Sequence, residues 1–120
     1  MVLVDTSVWV DHFRHGLPLL EELLESGQVA VHPFIIGELA CGGLTKRKEI
    51  LGLLSVLPPV KTATQAEALR LVETHALYNA GIGWVDVHLL ASALLTDIPI
   101  WTRDRRLTAA ARMLKLAAKE

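Results

Sequence analysis

Short apolar runs alternate with amphipathic stretches along this chain. Residues 1–4 are all apolar, which predicts a buried strand, and Asp5, Thr6 and Ser7 then offer N-cap chemistry for a helix through Phe13. Further apolar runs predict short strands at residues 29–31, 60–62 and 98–101. Apolar residues at helical spacing predict six more helices, at residues 19–25, 33–44, 46–57, 64–78, 84–95 and 105–118. Because the segment 84–95 is apolar on nearly every face, we expect it to be the most buried helix.

Strands that alternate with helices are typical of a parallel sheet covered on both faces and joined by right-handed crossovers. We therefore predict an α/β fold of three layers, α/β/α, with a central parallel sheet of about four to five short strands. A length of 120 residues fits a single domain over residues 1–120 and leaves no room for a second core. Ligands of such folds bind beyond the carboxyl ends of the strands, so we expect a functional site at that edge.

Composition and charge narrow the classes of function. No apolar run approaches the roughly 18 residues of a membrane span, and Asp5 interrupts the first run before a signal-peptide core forms. The single cysteine, Cys41, cannot form an internal disulfide, which favours a cytoplasmic protein. The net charge of −1 gives no overall attraction to nucleic acid, so contact with it requires a local basic patch. The hydrophobic share of 52% leaves apolar surface for a partner interface.

Four acidic residues occupy positions from which carboxylates can converge. Asp5 follows the first predicted strand and Asp104 follows the last one. Asp86 lies in the first turn of the predicted helix 84–95, and Glu38 lies among apolar neighbours in the predicted helix 33–44. Taken singly, each has a structural explanation, as a helix cap, a first-turn acid or a residue on a helix rim. Together they would crowd like charges in one crevice, which is costly unless protons or cations neutralise them.

An all-oxygen cluster of this kind suits a hard cation, Mg²⁺ or Mn²⁺, rather than zinc. The histidines show no spacing typical of metal ligands; they are His12, His15, His32, His75 and His88. We therefore predict a site for Mg²⁺ or Mn²⁺ formed by Asp5, Glu38, Asp86 and Asp104. The pattern leaves open whether one ion or two would bind.

Four segments of the chain form a recognisable series: VLVDTSVW at residues 2–9, GEL at 37–39, GWVDVHLLASA at 83–93 and IWTRDRRL at 100–107. In order and spacing they resemble the motifs of PIN-domain proteins, and most closely those of the VapC-type toxins of toxin–antitoxin pairs. The resemblance covers essentially the whole chain and implies a PIN-like fold. It implies that the four acids bind Mg²⁺ or Mn²⁺, and that Thr6 or Ser7, together with Thr102, orients a water or a carboxylate. The implied reaction is hydrolysis of an RNA phosphodiester bond by metal-activated water.

Basic side chains near these motifs are candidates for holding the phosphates that flank the cleaved bond. They are Lys46, Arg47, Arg103, Arg105 and Arg106, with Lys48 and Arg112 as further candidates. For residues 46–48 a solvated turn is an equally good interpretation. For Arg103 and Arg105, contact with substrate or with the acids is favoured, because both flank Asp104.

Two other classes of protein fit part of the pattern. A phospho-acceptor receiver domain also gathers acids around Mg²⁺ at strand ends, but it needs adjacent acids after its first strand and a lysine after its last. Here Thr6 follows Asp5, and the last predicted strand leads into Thr102 and Arg103. A catalytically silent PIN module would keep the fold and act only through a partner surface.

The resemblance also implies partners. One is a VapB-type antitoxin whose C-terminal segment lies across the groove and masks the acids, and another is a second copy of the chain in a homodimer. Apolar stripes at residues 17–24 and 50–57 are candidate faces for these partners. The alternative is that both stripes face the core.

Overall fold

Three short parallel strands form the sheet in the computed structural model, which describes residues 1–119. They are β1 (Val2–Val4), β2 (Val29–Ala30) and β3 (Ile100–Trp101), arranged in the order β2-β1-β3. Leu3 in the central strand pairs with Ala30 on one side and with Ile100 on the other. All three strands are fully buried, as the continuous apolar runs predicted.

Helices account for most of the rest of residues 1–119. They are α1 (Thr6–His15), α2 (Pro18–Glu25), α3 (Pro33–Ala40), α4 (Arg47–Val56), α5 (Gln65–His75), α6 (Trp84–Thr96) and α7 (Arg105–Met113), with a 3₁₀ turn at Leu77–Asn79. Within this part of the chain, no helix combines the length and apolar character that crossing a membrane requires. The predicted α/β architecture is confirmed.

The sheet has slightly fewer strands than the four to five predicted. At its two edges it continues only as isolated bridges, Val31 with Pro59 and Ile100 with Ala117. The strand predicted at residues 60–62 is therefore wrong. Val60 N–H donates to Val31 O at 3.0 Å, but the two prolines before it, at residues 58 and 59, have no N–H with which to extend a ladder.

Two of the predicted helices end early in the first two thirds of the chain. α3 stops at Ala40 instead of residue 44, and the Arg47 guanidinium donates to the carbonyl oxygens of Ala40 and Gly42 just beyond it. α5 stops at His75, because Ala76 adopts the left-handed conformation with φ 52° and the 3₁₀ turn follows. The apolar repeat continues past both of these helix ends. It therefore does not show where the backbone leaves the helical conformation.

The last helix also ends early, at Met113 instead of residue 118. Lys115 adopts φ 59°, and the tail then runs beside β3. Ile100 N–H donates to Leu116 O at 2.7 Å, and Ala118 N–H donates to Ile100 O at 2.9 Å. Pairing with the sheet thus replaces the last turns of the predicted helix.

α6 is the most buried helix, as predicted. Its seven consecutive residues from Val87 to Ala93 are all buried, whereas each of the other helices of residues 1–119 buries three or fewer. Of the two apolar stripes, Leu20 and Leu54 face the core and are fully buried. Leu53 and Val56 on α4 are 44% and 77% exposed, so that stripe lies only partly in the core.

The order of the strands determines where the site lies in the fold. The chain moves from the central β1 to β2 on one side, and later returns across the sheet to β3 on the other. With right-handed crossovers, these two connections cover opposite faces and leave a crevice at the carboxyl ends of β1 and β3. Asp5 directly follows β1, and Thr102 directly follows β3, so both border this crevice.

Candidate active site

Asp5 lies at the carboxyl end of β1 and is the N-cap of α1, with only 6% of its surface exposed. Three hydrogen bonds end on its Oδ2 atom. The hydroxyl of Ser7 donates at 2.7 Å, the hydroxyl of Thr102 donates at 2.8 Å, and the backbone N–H of Ser7 donates at 3.4 Å. No hydrogen bond within residues 1–119 ends on Oδ1. Asp5 can therefore cap α1 through Oδ2 and still offer Oδ1 to a ligand.

A network of hydroxyls joins the ends of β1 and β3. The Ser7 and Thr102 hydroxyl oxygens lie 3.3 Å apart, but each hydroxyl has a single hydrogen, and both hydrogens serve Asp5. The two oxygens then act as acceptors. Ser7 Oγ accepts from the backbone N–H of Arg103 at 3.0 Å, and Thr102 Oγ1 accepts from that of Asp104 at 3.1 Å. The network fixes the carboxylate of Asp5 and the loop that carries Asp104.

Glu38 lies on the exposed side of α3, one residue before the buried Leu39. Its Oε1 atom accepts a hydrogen bond of 2.7 Å from the Thr6 hydroxyl on α1. α1 and α3 pack against each other, so this bond spans an established helix contact. Thr6 and Ser7 therefore serve different acids, Glu38 and Asp5 respectively.

Asp86 lies in the first turn of α6 and is partly buried. The pKa of its carboxyl group is raised from the ordinary value of 3.8 to about 6, and burial is the largest cause. The negative charges of the other acids contribute to the same rise, in the decreasing order Asp5, Asp104 and Glu38. A hydrogen bond from the backbone of Gly83 acts in the opposite direction. The other three predicted acids thus lie within electrostatic range of Asp86.

Asp104 is the N-cap of α7, and its Oδ1 atom accepts a hydrogen bond of 2.8 Å from the backbone N–H of Leu107. The side chain is exposed, like that of Glu38. As with Asp5, capping uses one carboxylate oxygen. The charge of Asp104 still reaches the site, because it contributes to the raised pKa of Asp86.

The side-chain oxygen atoms of the predicted site are suitable ligands for a hard divalent cation. The four acids offer carboxylate oxygens and Thr6, Ser7 and Thr102 offer hydroxyl oxygens, and oxygen ligands are those that Mg²⁺ and Mn²⁺ prefer. In residues 1–119, however, no three acidic, histidine or cysteine side chains already stand close enough to enclose a metal ion. Mg²⁺ requires oxygen atoms at about 2.0–2.1 Å, so the carboxylates would have to rotate inward to reach one.

The predicted RNA-binding residues fall into two groups, and the first flanks β3 and α7. Arg103 and Arg105 line a groove that starts at Thr102. Arg106 turns the other way: its Nη1 atom approaches Gly81 O at 3.5 Å. Gly81 has φ +71°, and a Cβ atom there would meet the Arg106 side chain at 3.1 Å, so this arginine packs on the loop before α6.

The second group, Lys46 and Arg47, lies at the start of α4. Lys46 lines a separate, largely apolar pocket of about 610 Å³ together with Thr6 and Glu38. Arg47 donates to the carbonyl oxygens of Ala40 and Gly42, so its guanidinium closes the end of α3. The Arg47 guanidinium therefore has a structural role in this structure.

Two polar contacts of the described chain were not predicted. Asp11 on α1 pairs with Arg103, with Oδ2 and Nε 3.2 Å apart, although the two residues are far apart in the sequence. His32 caps α3 through its Nδ1 atom, which accepts from the backbone N–H of Phe34 at 2.9 Å. Burial, and secondly the nearby His88, lowers the pKa of His32 to about 4, so it is neutral at physiological pH. No local pattern signals the Asp11–Arg103 pair, whereas the His32 cap is a local contact next to Pro33.

The parallel sheet and the acidic crevice at its carboxyl end can be compared with known protein families. A family model described as "PIN domain" matches residues 2–113, and the chain belongs to the PIN-domain family.

Among relatives, the chain is 45% identical over 111 residues to Ribonuclease VapC32 of Mycobacterium tuberculosis, in two strains. That match covers 92% of this chain and 90% of the relative. Among solved structures, the chain is similar to the crystal structure of PAE2754 from Pyrobaculum aerophilum, with a TM-score of 0.62 and 19% identity. This second likeness covers 98% of this chain and 90% of the other, and it supports the fold alone.

Proposed function

We propose that this protein is an endoribonuclease, the toxin of a toxin–antitoxin pair, which hydrolyses RNA with the help of Mg²⁺ or Mn²⁺. The observation that carries the proposal is the convergence of four carboxylates, seen in the effect of three of them on the pKa of Asp86. Membership of the PIN-domain family and 45% identity to a protein named as a ribonuclease support RNA as the substrate.

In this proposal Asp5, Glu38, Asp86 and Asp104 hold the metal through carboxylate oxygens. A bound Mg²⁺ or Mn²⁺ would lower the pKa of a water molecule and neutralise charge that develops on the phosphate. Ser7 and Thr102 hold Oδ2 of Asp5 and leave Oδ1 for a ligand. Thr6 orients Glu38 in the same way through Oε1.

RNA cleavage by the purified chain tests the proposal directly. We expect an end-labelled single-stranded RNA to be cut in Mg²⁺ or Mn²⁺, to survive in EDTA, and to be cut again when metal is restored in excess. Calorimetry with Mn²⁺ should show binding. Absence of both cleavage and metal binding would contradict the proposal and favour the catalytically silent PIN module. A receiver domain is disfavoured by the family match and by the single acid after β1.

Contacts to RNA phosphates are proposed for the arginines beside the site. Arg103 and Arg105 border the crevice next to Thr102, which favours them. Lys46 lines the pocket that also contains Glu38, so it stays a candidate on the other side of the site. RNA contacts by Arg47 and Arg106 also stay predictions. Each of these arginines has a structural role as well, because it contacts a backbone carbonyl.

Partners and location complete the proposal. A VapB-type antitoxin is expected to mask the acids, and a homodimer is expected to bury apolar surface such as Leu53 and Val56. The lone Cys41 is exposed and free, as suits a reducing, cytoplasmic location.

Replacing Thr102 with valine should reduce activity while the fold remains. The variant keeps the shape of the side chain but removes the donor to Asp5 Oδ2 and the acceptor for Asp104 N–H. Groups that orient metal ligands typically contribute about 10- to 100-fold, so we expect a loss of that size in kcat with little change in KM.

The matched control is Thr74→Val, which makes the same chemical change at an exposed position on α5. It should leave kcat unchanged. Equal kcat values for Thr102→Val and Thr74→Val would show that the hydroxyl network has no part in activity.

A further inference from the structure

A basic groove lies beside the active-site crevice, between α7 and the C-terminal tail. Its walls are the end of β3, the exposed side of α7 and the tail at residues 117–119, and its volume is about 1040 Å³. Thr102 lines the inner end of the groove and also donates to Oδ2 of Asp5. The groove therefore borders the acidic site at Thr102.

Among the described residues, the charged side chains that line the groove are all positive. Four cationic side chains line it, Arg103, Arg105, Arg112 and Lys119, and no acidic residue of the described chain does. Arg103 is partly neutralised by Asp11 from outside the groove. For the other three cations, no carboxylate of residues 1–119 lies within ion-pair distance. A protein with net charge −1 thus concentrates positive charge beside its acidic centre.

The spacing of these residues suits an extended polyanion. On α7, Arg105, Thr108 and Arg112 follow one another at intervals of three and four residues, so they share one face of the helix. The two arginines are about 10 Å apart along the helix axis. Between α7 and the tail the lining residues are small alanines, Ala111, Ala117 and Ala118, which allow a backbone to approach closely.

We propose that this groove holds the sugar–phosphate backbone of a single-stranded RNA segment on one side of the scissile phosphate. The inference rests on the proposed ribonuclease function and assigns Arg112 and Lys119 to substrate binding with Arg105. A concave cleft between a helix and a tail accepts one strand, and a basic groove that follows the backbone is typical of single-strand binding. Because its cations contact phosphates, the groove positions RNA without selecting a base sequence.

The salt dependence of RNA binding tests the groove. The probe is a fluorescent single-stranded RNA of 12 nucleotides, bound to the full chain in EDTA and followed by anisotropy between 50 and 200 mM salt. Each phosphate contact to a single strand contributes about 0.7 to the slope of log K against log salt. The double variant Arg105→Gln/Arg112→Gln should therefore lower the slope by about 1.4, so that the parent's advantage in affinity over the variant falls about 7-fold between 50 and 200 mM salt.

Matched variants separate the groove from overall charge. Lys61→Gln/Arg70→Gln removes the same charge at two exposed residues that do not line the groove, and it should leave the slope unchanged. Lys119→Gln changes only the tail, outside any helix, and should lower the slope by about 0.7. If the groove variants gave the same slope as the control, the inference would be overturned.

Two further outcomes have distinct meanings. If a poly-glutamate peptide lost affinity in the groove variants while RNA did not, the groove would bind an acidic protein segment instead, and the inference would be wrong. If the chain failed to cleave RNA in any metal but the slopes changed as expected, the ribonuclease proposal would fail while the groove assignment stood. Normal cleavage with unchanged slopes would overturn the groove alone.

Discussion

Replacing Asp5 with asparagine is expected to reduce metal-dependent RNA cleavage by at least about 100-fold and leave the fold intact. The loss should exceed the roughly 10- to 100-fold effect of groups that only orient metal ligands, because Asp5 is proposed as a ligand itself. Asparagine is as good an N-cap as aspartate, so α1 should still begin at Thr6. Removing one negative charge should also relieve repulsion on Asp86. Cleavage rates in Mg²⁺ and thermal unfolding would measure the two effects.

The matched control for this variant is Asp97→Asn. Asp97 is exposed, follows α6 and has φ 58°, a left-handed conformation that asparagine tolerates well. It should keep full activity. If the Asp5→Asn protein still cleaved RNA at the parental rate, Asp5 would not be part of the site. If EDTA also had no effect on that cleavage, the activity would come from a contaminating nuclease.

Replacing Asp86 with asparagine is expected to abolish activity and, in metal-free buffer, to stabilise the fold. In the unfolded chain the carboxyl group titrates near 3.8, whereas in the folded protein its pKa is about 6. The folded state therefore binds the proton more tightly, and the charged form destabilises the fold increasingly as pH rises from 3.8 through about 6. Asparagine carries no charge at any of these pH values and can still accept the hydrogen bond from the Gly83 backbone.

The size of the gain follows from the same shift. A raised pKa of this extent corresponds to about 3 kcal/mol for a fully buried group, which solvent screening reduces to about 1–2 kcal/mol for the partly exposed Asp86. Urea unfolding in EDTA should show this gain at pH 7.5 and little of it at pH 3.5, where the carboxyl group of the parent is mostly protonated in both states. A variant that is less stable than the parent at pH 7.5 would show that repulsion among the acids is not the dominant effect at Asp86.

Local signals predicted the helix starts that matter for the site. Asp5 and Asp104 are N-caps, and their side chains accept hydrogen bonds from the backbone N–H groups of Ser7 and Leu107. Such capping depends on a few adjacent residues, so it is readable without tertiary contacts. The burial of α6 was predictable for a similar reason, since an apolar residue at nearly every position leaves no face for solvent.

Sheet edges and helix ends were less predictable. The segment around Val60 has the apolar composition of a strand, but a single bridge to Val31 is all that the adjacent prolines permit. The apolar repeat after Met113 continues a helical pattern, yet pairing of the tail with Ile100 ends the helix first. In both cases a partner distant in sequence decides the backbone conformation, and a pattern read along the chain does not contain that partner.

The four acids could be predicted from the sequence as site residues, because strand ends, helix starts and family motifs are all local properties of the chain. What only the tertiary structure decided is how these acids are held and what surrounds them. The Ser7–Thr102 network, the raised pKa of Asp86 and the basic groove of α7 and the tail each join residues far apart in sequence. Hydrogen bonds and electrostatic interactions depend on distance in space, and the packing of β1 against β3 sets those distances.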